Sequence, residues 1–300
     1  MSRVIVMHRT GAPGVLAVET RAFAPLAPGD VRVQMLAAAV NHSDLRIRAG
    51  DWAIRKPSPF PYVPGLEVVG EVVEVGAEVT GVRPGDRAWT AMQGFGGVRA
   101  ERDGGYAEHV TVAAGALAPL PRELDPVGFA ALGLAGVTAL ESIRQLGDVA
   151  GQTIAVTGAT GGVGGVAVEL ARALGATVVA LTRSSPPPAP ASLDGVLDGV
   201  AGPLFATLVA ALRPGGRYCM YGAASSGDVT FDAWGLLGPC TLTGYSSETL
   251  TGDTLRAATR TLLAHSIPQP PTTVMPLADA ARAHALLDQR AVQGRIVLVP

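Results

Sequence analysis

Residues 157–165, Thr-Gly-Ala-Thr-Gly-Gly-Val-Gly-Gly, limit what this chain can form more than any other segment. The apolar run 153–157 leads into them and predicts a buried strand, while 163–174 predicts a helix and 177–181 a second strand. A strand, a helix and a strand at these distances make one βαβ unit, which implies parallel pairing. Glycine lets such a turn approach a pyrophosphate closely, and the helix N-terminus offers N–H donors to the anion.

The glycine cluster matches the dinucleotide-binding pattern Gly-x-Gly-x-x-Gly in two of three positions. Ala159 stands at the first position, and Gly161 and Gly164 stand at the other two. The residues expected to contact a cofactor here are Gly158, Ala159, Gly161, Gly162 and Val163. A tight turn without a ligand is the alternative, and the strand and helix on either side favour the cofactor.

The end of the second predicted strand indicates which cofactor the turn would bind. Sites for NAD usually have Asp or Glu there, which binds the ribose 2′-hydroxyl. This chain has Thr182, Arg183 and Ser184 and no acid. A guanidinium with two hydroxyls suits a 2′-phosphate, so we expect NADPH. The alternative is that Arg183 is an ordinary solvated cation.

The chain shows two kinds of sequence texture. Short β-rich runs with Pro-Gly turns predict a β-rich domain over residues 1–120. The last segment, 266–300, has the same texture and is expected to complete that domain, which leaves 121–265 as the cofactor domain. A chain of 300 residues is long enough for both.

Composition excludes several other classes of protein. Two cysteines cannot build a disulfide framework, a net charge of -2 without a basic run disfavours nucleic acid, and the single lysine, Lys56, disfavours a Schiff-base enzyme. The N-terminus does not resemble a signal peptide, and glycines interrupt the longest apolar stretch, 127–140. We therefore expect a cytoplasmic protein that binds neither a membrane nor nucleic acid.

Eight short motifs occur along the chain in the order of a known family. They are AVNHSD (39–44), YVPGLE (62–67), VRPGDR (82–87), GGYAE (104–108), AGVTA (135–139), the glycine cluster, LRPGGR (212–217) and GRIVL (294–298). Together they resemble the medium-chain dehydrogenase/reductase superfamily, in its zinc-independent quinone oxidoreductase and enoyl reductase branch. The resemblance implies an α/β fold: a GroES-like β-rich substrate domain, a Rossmann domain with a doubly wound parallel sheet, and a cleft between them.

The resemblance also bears on metal binding. In the zinc alcohol dehydrogenases of this superfamily a cysteine stands at the position of Asn41 and a histidine at that of Leu66. A leucine cannot bind a metal, and the region 94–105 lacks the cysteines of a structural zinc, so we expect no metal. Without zinc, hydride addition is easier onto a quinone or a conjugated C=C than onto an isolated carbonyl, because the charge spreads to an oxygen that hydrogen-bond donors can stabilise.

Family position implies roles for further residues. Asn41 and Thr138 are expected near the nicotinamide, and Arg295 takes the place of a basic cofactor-contacting residue. Cofactor contacts are also expected after the last two strands, at Gly222, Ala223, Ala224, Tyr245 and Ser246.

Two substrate-contacting tyrosines of the relatives are replaced in this chain, by Arg46 and Trp52. Asn41 and Arg46 are the candidate catalytic residues, and Asp44, Arg46 and Trp52 the candidate substrate contacts. Because a guanidinium is a poor acid, the proton is expected from water or the substrate. The alternative for Arg46 is a salt bridge with Asp44 or surface exposure, and the alternative for Trp52 is a pocket wall.

Residues 184–194, which include the proline-rich run 186–190, replace a helix, a strand and a helix of the relatives. Proline cannot continue a helix, and an extended segment of this length can cross two strands. The sequence therefore predicts a trimmed Rossmann sheet with five strands rather than six.

Two functions are consistent with these features. The first is an NADPH-dependent reductase of a quinone, an enone or an enoyl thioester. The excess of arginine over lysine and the abundant Ala, Gly and Pro suggest a GC-rich bacterial genome, in which such enzymes often act in secondary metabolism. The alternative is a redox-silent member that acts as a cyclase, a tailoring enzyme or a ligand-binding protein in the same cleft. The glycine turn favours the first, and the missing tyrosines and shortened sheet favour the second. The predicted edge strand 241–244 implies a homodimer.

Overall fold

A computed structural model describes residues 1–52, 60–91, 102–225, 229–238 and 240–300, and the chain forms two units. Unit 1 comprises 1–134, 247–260 and 269–300, and unit 2 comprises 135–246 and 261–268. The sequence predicts a boundary at residue 120, whereas the first change of unit falls inside a long helix that starts at Pro126. Lys56 and residues 94–101, which the sequence analysis used, lie outside the described residues.

The strands of unit 1 pair antiparallel, except the last two along the chain, which pair parallel with each other. β1 (Ser2–Met7) pairs with β2 (Leu16–Arg21). A seven-stranded sheet contains β3 (Asp30–Val40), β4 (Glu67–Val75), β5 (Arg87–Ala91), β6 (His109–Ala113), β7 (Ala118–Pro119), β13 (Thr272–Pro276) and β14 (Arg295–Val299). Its strand order is β13-β14-β3-β4-β5-β7, and β6 pairs with β3. The end of the chain thus joins the first domain's sheet, because β14 pairs antiparallel with β3.

Two helices of unit 1 carry residues of interest. Helix α1 (His42–Ala49) directly follows β3, and α6 (Ala280–Asp288) precedes β14. The local sequence pattern does not predict α1, which begins at an Asn41–Asp44 capping box and ends at Gly50 in the left-handed conformation. A further helix, α5 (Gly252–Ala264), lies partly in each unit.

Unit 2 contains a parallel sheet of five strands, as the sequence predicted. They are β8 (Thr153–Thr157), β9 (Thr177–Leu181), β10 (Leu193–Asp198), β11 (Leu212–Met220) and β12 (Thr241–Gly244), in the order β9-β8-β10-β11-β12. Every neighbouring pair is parallel. The segment 182–192 crosses from β9 to β10 without a helix or a strand, and the deletion relative to the family stays a prediction. The Pro-Gly-Gly segment 214–216 lies within β11 as a bulge, where Gly215 has a positive φ and the register with β10 shifts.

The helices of this sheet follow the expected pattern. Helix α2 (Pro126–Leu146) precedes β8, α3 (Gly162–Ala173) connects β8 to β9, and α4 (Leu204–Ala211) follows β10. One core cluster packs Phe205 and Leu208 of α4 against Tyr218 of β11 and Val196 of β10. Helix α2 is long and apolar enough to cross a bilayer, but most of it is buried inside the protein, as in an ordinary core helix.

Candidate cofactor and catalytic sites

The glycine turn of unit 2 leaves the start of α3 open. Gly161 is the N-cap residue and provides no side-chain cap, so the first N–H groups of α3 have no partner from a capping side chain. The turn is tight: Gly161 N–H donates to the Gly158 carbonyl at 2.8 Å, and a Cβ on Gly164 would lie 2.2 Å from that oxygen. A Cβ on Gly161, in contrast, would meet only the Gly158 oxygen, at 3.1 Å. The arrangement can receive an anion at the helix N-terminus.

The alanine in the first position of the pattern does not strain this turn. Gly158 has the left-handed conformation, with φ of 59°, and Ala159 is not among the residues with positive φ. Ala159 N–H donates to the Leu181 carbonyl at 3.2 Å, which attaches the turn to the end of β9. The one residue of the turn that needs glycine's freedom is therefore still a glycine.

A buried carboxylate lies beside the turn, and the motifs do not predict it. Asp198, the last residue of β10, accepts hydrogen bonds from Thr157 Oγ1 at 2.5 Å, from the N–H groups of Val200 and Ala201, and from the Tyr218 hydroxyl. These bonds connect the ends of β8, β10 and β11 at the point where the strand order reverses, which is where open α/β sheets bind ligands. Burial, and then the nearby Asp198, raise the pKa of Tyr218.

The end of β9 presents hydroxyls and a free cation. Thr182 Oγ1 lies 3.2 Å from Ser184 Oγ and 3.0 Å from Ser185 Oγ. Arg183 is exposed and makes no ion pair with any residue that the structure describes. The Arg183 guanidinium can therefore bind a phosphate without first leaving an ion pair, and the exposed hydroxyls of Thr182 and Ser184 can turn from each other to donate to it.

Because neighbouring strands of unit 2 are parallel, the predicted cofactor contacts that follow them lie at the carboxyl ends of the strands. Gly222, Ala223 and Ala224 follow β11, and Ala224 N–H donates to the Gly199 carbonyl at 3.1 Å. Tyr245 and Ser246 follow β12, and the Tyr245 hydroxyl is buried without a hydrogen-bond partner. An orphaned hydroxyl and an uncapped helix at the same edge fit a polar cofactor there. Thr138 lies on α2, where its carbonyl accepts a hydrogen bond from Ser142 Oγ.

In unit 1 the predicted catalytic residue Asn41 is held by a buried ion pair. Its Nδ2 donates to Glu67 Oε1 at 2.9 Å, and Arg295 Nη2 donates to its Oδ1 at 2.8 Å. Arg295 also donates to the Ala131 carbonyl, and Leu134 N–H donates to Glu67 Oε2. Burial raises the pKa of Glu67 and lowers that of Arg295, and the attraction between them opposes both shifts. The predicted cofactor contacts of Asn41 and Arg295 stay predictions.

The structure speaks against the predicted substrate contact of Asp44. Its side chain has no exposed surface, and Oδ2 accepts hydrogen bonds from Asn41 N–H at 2.8 Å and the Tyr106 hydroxyl at 3.3 Å. Burial raises the pKa of Asp44 to about 7. A carboxylate enclosed in this way cannot touch a substrate unless α1 rearranges, so its role here is to fix the start of that helix.

The other two candidates for substrate contact are more accessible. Arg46 is exposed by about two fifths and pairs with Asp51 at 3.4 Å, so the alternative of an exposed ion pair describes it, with Asp51 in place of Asp44. Trp52 Nε1 donates to Glu248 Oε1 at 3.2 Å. Within the described residues no group of His, Cys, Asp and Glu could hold a metal ion, and Leu66 is fully buried. The absence of a metal stays a prediction.

The His284→Gln variant is expected to lose less stability than wild type when the pH is lowered. Burial, and then Arg48, lower the pKa of His284 to about 3 from its ordinary 6.5. Between those values the unfolded chain binds one more proton, so stability is full above 6.5 and falls with pH by ~1.4 kcal/mol per unit. Urea unfolding at several pH values should show the stability of wild type relative to the variant falling by about 2 kcal/mol between pH 6.5 and 5. Asp44 titrates in both proteins, so only their difference isolates His284, and parallel curves would contradict the expectation.

Two models of known protein families match this chain. The model of the alcohol dehydrogenase GroES-like domain matches residues 27–122, and that of the zinc-binding dehydrogenases matches residues 174–298. The chain belongs to the medium-chain dehydrogenase/reductase superfamily, in its quinone oxidoreductase branch. This confirms the resemblance stated from the motifs, and the family's GroES-like and Rossmann architecture agrees with the seven-stranded and five-stranded sheets described above.

This chain spans about half the length of the curated relatives that it matches. A 2-methylene-furan-3-one reductase of Solanum lycopersicum is 34% identical over 177 residues, which cover 58% of this chain and 45% of that protein. A quinone oxidoreductase of Homo sapiens is 33% identical over 182 residues, which cover 60% of this chain and 52% of that protein.

Solved structures of this superfamily match along the full chain. A mycobacterial quinone oxidoreductase superposes with a TM-score of 0.86 at 27% identity and covers 100% of both chains. The Escherichia coli quinone oxidoreductase in complex with NADPH superposes with a TM-score of 0.82 at 25% identity, again over 100% of both chains.

Proposed function

We propose that this protein is an NADPH-dependent oxidoreductase that reduces a quinone or an α,β-unsaturated C=C bond without zinc. The observation that carries the proposal is the uncapped N-terminus of α3 at the glycine turn, beside the free Arg183 at the end of β9. Relatives described as quinone oxidoreductases and as a furanone reductase support this reaction class, and the complex of the Escherichia coli relative supports NADPH.

The residues that would hold the cofactor have separate tasks. The first N–H groups of α3 would bind the pyrophosphate, and Arg183 with Thr182 and Ser184 would bind the 2′-phosphate. NADPH supplies a hydride when it is bound. Asn41, whose amide is fixed at both ends by Glu67 and Arg295, would provide a rigid polar group for the reaction.

The proton that completes the reduction is proposed to come from water or the substrate. Asp44 has no exposed surface, and Arg46, which pairs with Asp51, carries a guanidinium, which is a poor proton donor. We place the charge stabilisation, rather than the protonation, with Arg46. A small-molecule substrate and a cytoplasmic location belong to the same proposal.

A direct assay tests the reaction class. Purified protein is mixed with NADPH and a panel of quinones, enones and enoyl thioesters, with and without EDTA, and oxidation of NADPH is followed by absorbance. The proposal expects turnover with at least one panel class and no effect of EDTA. Loss of activity with EDTA, restored by zinc, would contradict the zinc-independent mechanism.

The redox-silent alternative has one observation in its favour. The segment 182–192 supplies no strand or helix beside β9, so less of the chain is available to contact an adenosine. In that case NADPH would bind weakly or not at all, and panel compounds would bind without NADPH oxidation. Calorimetric titration with the same compounds separates the two proposals.

Arg183→Ala is expected to narrow the preference for NADPH over NADH by about tenfold or more, because a charge-assisted contact contributes ~1.5–3 kcal/mol. Dissociation constants for both dinucleotides, measured by fluorescence for wild type and variant, check this. Arg172→Ala is a matched control, because Arg172 lies on α3 and pairs with Glu169. Equal affinities of wild type for NADPH and NADH would contradict the assignment of the phosphate site.

A homodimer through β12 is proposed together with this function. Strand β12 is an edge of the five-stranded sheet, and Trp234 and Leu237 nearby in sequence are exposed by 76% and 70%. An edge strand beside exposed apolar side chains favours pairing with a second copy. Light scattering should give a dimer for wild type and a monomer for Trp234→Glu/Leu237→Glu, whereas Val18→Glu, on β2 of unit 1, should stay dimeric. A wild-type monomer at every concentration would contradict the proposal.

A further inference from the structure

Four buried polar side chains of unit 1 form a continuous chain of hydrogen bonds that ends at Asp44. Arg48 Nη1 lies 3.4 Å from His284 Nδ1, His284 Nε2 lies 3.2 Å from the Tyr106 hydroxyl, and that hydroxyl lies 3.3 Å from Asp44 Oδ2. Asp44, Tyr106 and His284 have no exposed surface, and Arg48 is 4% exposed. The residues come from α1, from the segment before β6 and from α6.

The chemistry of the first residue sets the direction of every bond in this chain. A guanidinium only donates, so His284 Nδ1 must accept and the ring proton is assigned to Nε2. Nε2–H then donates to the Tyr106 oxygen, and the Tyr106 hydroxyl is left to donate to Asp44. The lowered pKa of His284 agrees with this neutral ring.

We propose that Tyr106 and His284 are positioning residues, which hold the Asp44 carboxylate in place and through it fix Asn41. The link to Asn41 is the 2.8 Å hydrogen bond from its backbone N–H to the same oxygen, Asp44 Oδ2. The effect on catalysis rests on the proposed function, in which Asn41 is a reaction-site residue.

The same direction of bonding excludes a proton relay to solvent. Arg48 also donates to Asp288 Oδ2 at 2.9 Å and to the Gly11 carbonyl at 3.0 Å, and a guanidinium does not give up its proton. A proton moving towards Asp44 could therefore come from no further away than His284. This chain of hydrogen bonds fixes the geometry and the charge of Asp44 and does not conduct protons from solvent.

The orientation of the Asp44 side chain depends on this chain of hydrogen bonds, because its other oxygen, Oδ1, has no hydrogen-bond partner among the described residues. Asp44 Oδ1 is buried without a hydrogen bond, so Asn41 N–H and the Tyr106 hydroxyl are the two donors that orient the carboxylate in the described structure. The other ionisable groups that act on Asp44 are Glu67 and Arg295, and Tyr62 lies near enough to be affected by it. Removing the Tyr106 donor should therefore make Asp44 easier to protonate.

The test compares four variants of the full-length protein. Tyr106→Phe and His284→Leu break the chain, whereas the amide of His284→Gln can accept from Arg48 and donate to Tyr106 and should preserve it. Thr259→Val is the control, because it removes a different buried hydrogen bond of unit 1, the one from Trp89 Nε1. The readouts are the dissociation constant for NADPH, kcat, and the dependence of kcat on pH.

For the two chain-breaking variants we expect kcat at pH 7 to fall by about tenfold, with the acid limb of the pH profile shifted upward and NADPH affinity unchanged. His284→Gln should keep most of kcat and the wild-type profile, and Thr259→Val should leave the profile in place. Chain-breaking variants with an unshifted profile, or a glutamine variant that behaves like the leucine variant, would overturn the proposal.

A second measurement separates this inference from the proposed function. The ¹⁵N spectrum of labelled protein, with His284 assigned by its absence in His284→Gln, should show a neutral ring protonated at Nε2 from pH 5 to 8. This result is expected even if no substrate is reduced. A His284 ring that is protonated at Nδ1, or one that titrates near pH 6.5, would contradict the proposed chain of hydrogen bonds.

Discussion

Gly161→Val is expected to weaken NADPH binding by about hundredfold or more, because a branched side chain would occupy the space where an anion meets the N–H groups of α3. The residue adopts a φ of −85°, which valine tolerates, and a Cβ there would meet only the Gly158 oxygen, at 3.1 Å. Unit 2 should therefore stay folded. Fluorescence titration gives the affinity, and circular dichroism gives the melting temperature.

Two neighbouring glycines serve as matched controls for this variant. A Cβ on Gly165 would lie 3.4 Å from the Ala159 oxygen, an ordinary contact, so Gly165→Ala should bind NADPH like wild type. A Cβ on Gly164 would lie 2.2 Å from the Gly158 oxygen, so Gly164→Ala should disturb the turn itself and lower the melting temperature. If Gly161→Val binds NADPH as wild type does, the glycine cluster is only a turn.

Arg295→Met is expected to destabilise the protein by about 3–5 kcal/mol, because it leaves the Glu67 carboxylate buried without its cation. Glu67 is fully buried, and Arg295 Nη2 lies 3.4 Å from its Oε1 and 2.8 Å from Asn41 Oδ1. Urea unfolding measures the change. Without Arg295 the pKa of Glu67 should rise further above its unfolded value, so the variant should lose more stability at pH 8 than at pH 5.

The double variant Glu67→Leu/Arg295→Met is the control for this prediction. It removes both charges together and should recover much of the stability that Arg295→Met loses, because two apolar side chains of similar volume can replace a buried ion pair. A single-variant loss below about 1 kcal/mol, or a double variant no more stable than the single one, would show that the pair is not a buried charge balance.

The elements around the glycine cluster were the most predictable part of the fold. The bounds of β8 and β9 agree with the sequence prediction, because each is a strongly apolar segment. Strand β12 also falls at the predicted residues 241–244. The five-stranded sheet followed from the proline-rich segment, which lacks the residues for a helix and a further strand.

Other elements depend on contacts that a local pattern does not contain. The residues of α1, His-Ser-Asp-Leu-Arg-Ile-Arg-Ala, show no clear apolar periodicity, and the helix is held by its capping box and by Arg48 bonding to Gly11 and Asp288. The segment 214–216 has the composition of a turn, and it forms a bulge within β11. Leu212 and Arg217 pair with Leu193 and Gly195, so four residues of β11 stand opposite one residue of β10.

The residues of the candidate site also divide into those that the local sequence predicts and those that only the fold brings together. The glycine turn and Arg183 follow from local sequence, but the partners of Asp198, Asn41 and His284 are brought together by the fold. Thr157 lies 41 residues from Asp198, and His284 lies 178 residues from Tyr106. An aspartate that ends the apolar run before Gly199 was the one local signal for Asp198. No local signal marks His284.

Transfer of deuterium from NADPH labelled at the nicotinamide C4 tests the proposed function most directly. The protein is incubated with each C4 stereoisomer of the labelled cofactor and a panel of enones, and products are examined by mass spectrometry and NMR, with parallel quinone reactions followed by NADPH oxidation. We predict deuterium at the β-carbon of a reduced enone from one stereoisomer only, or stoichiometric NADPH oxidation by a quinone. Tight binding of NADPH with neither deuterium transfer nor oxidation across the panel would contradict the proposed oxidoreductase and favour the redox-silent alternative.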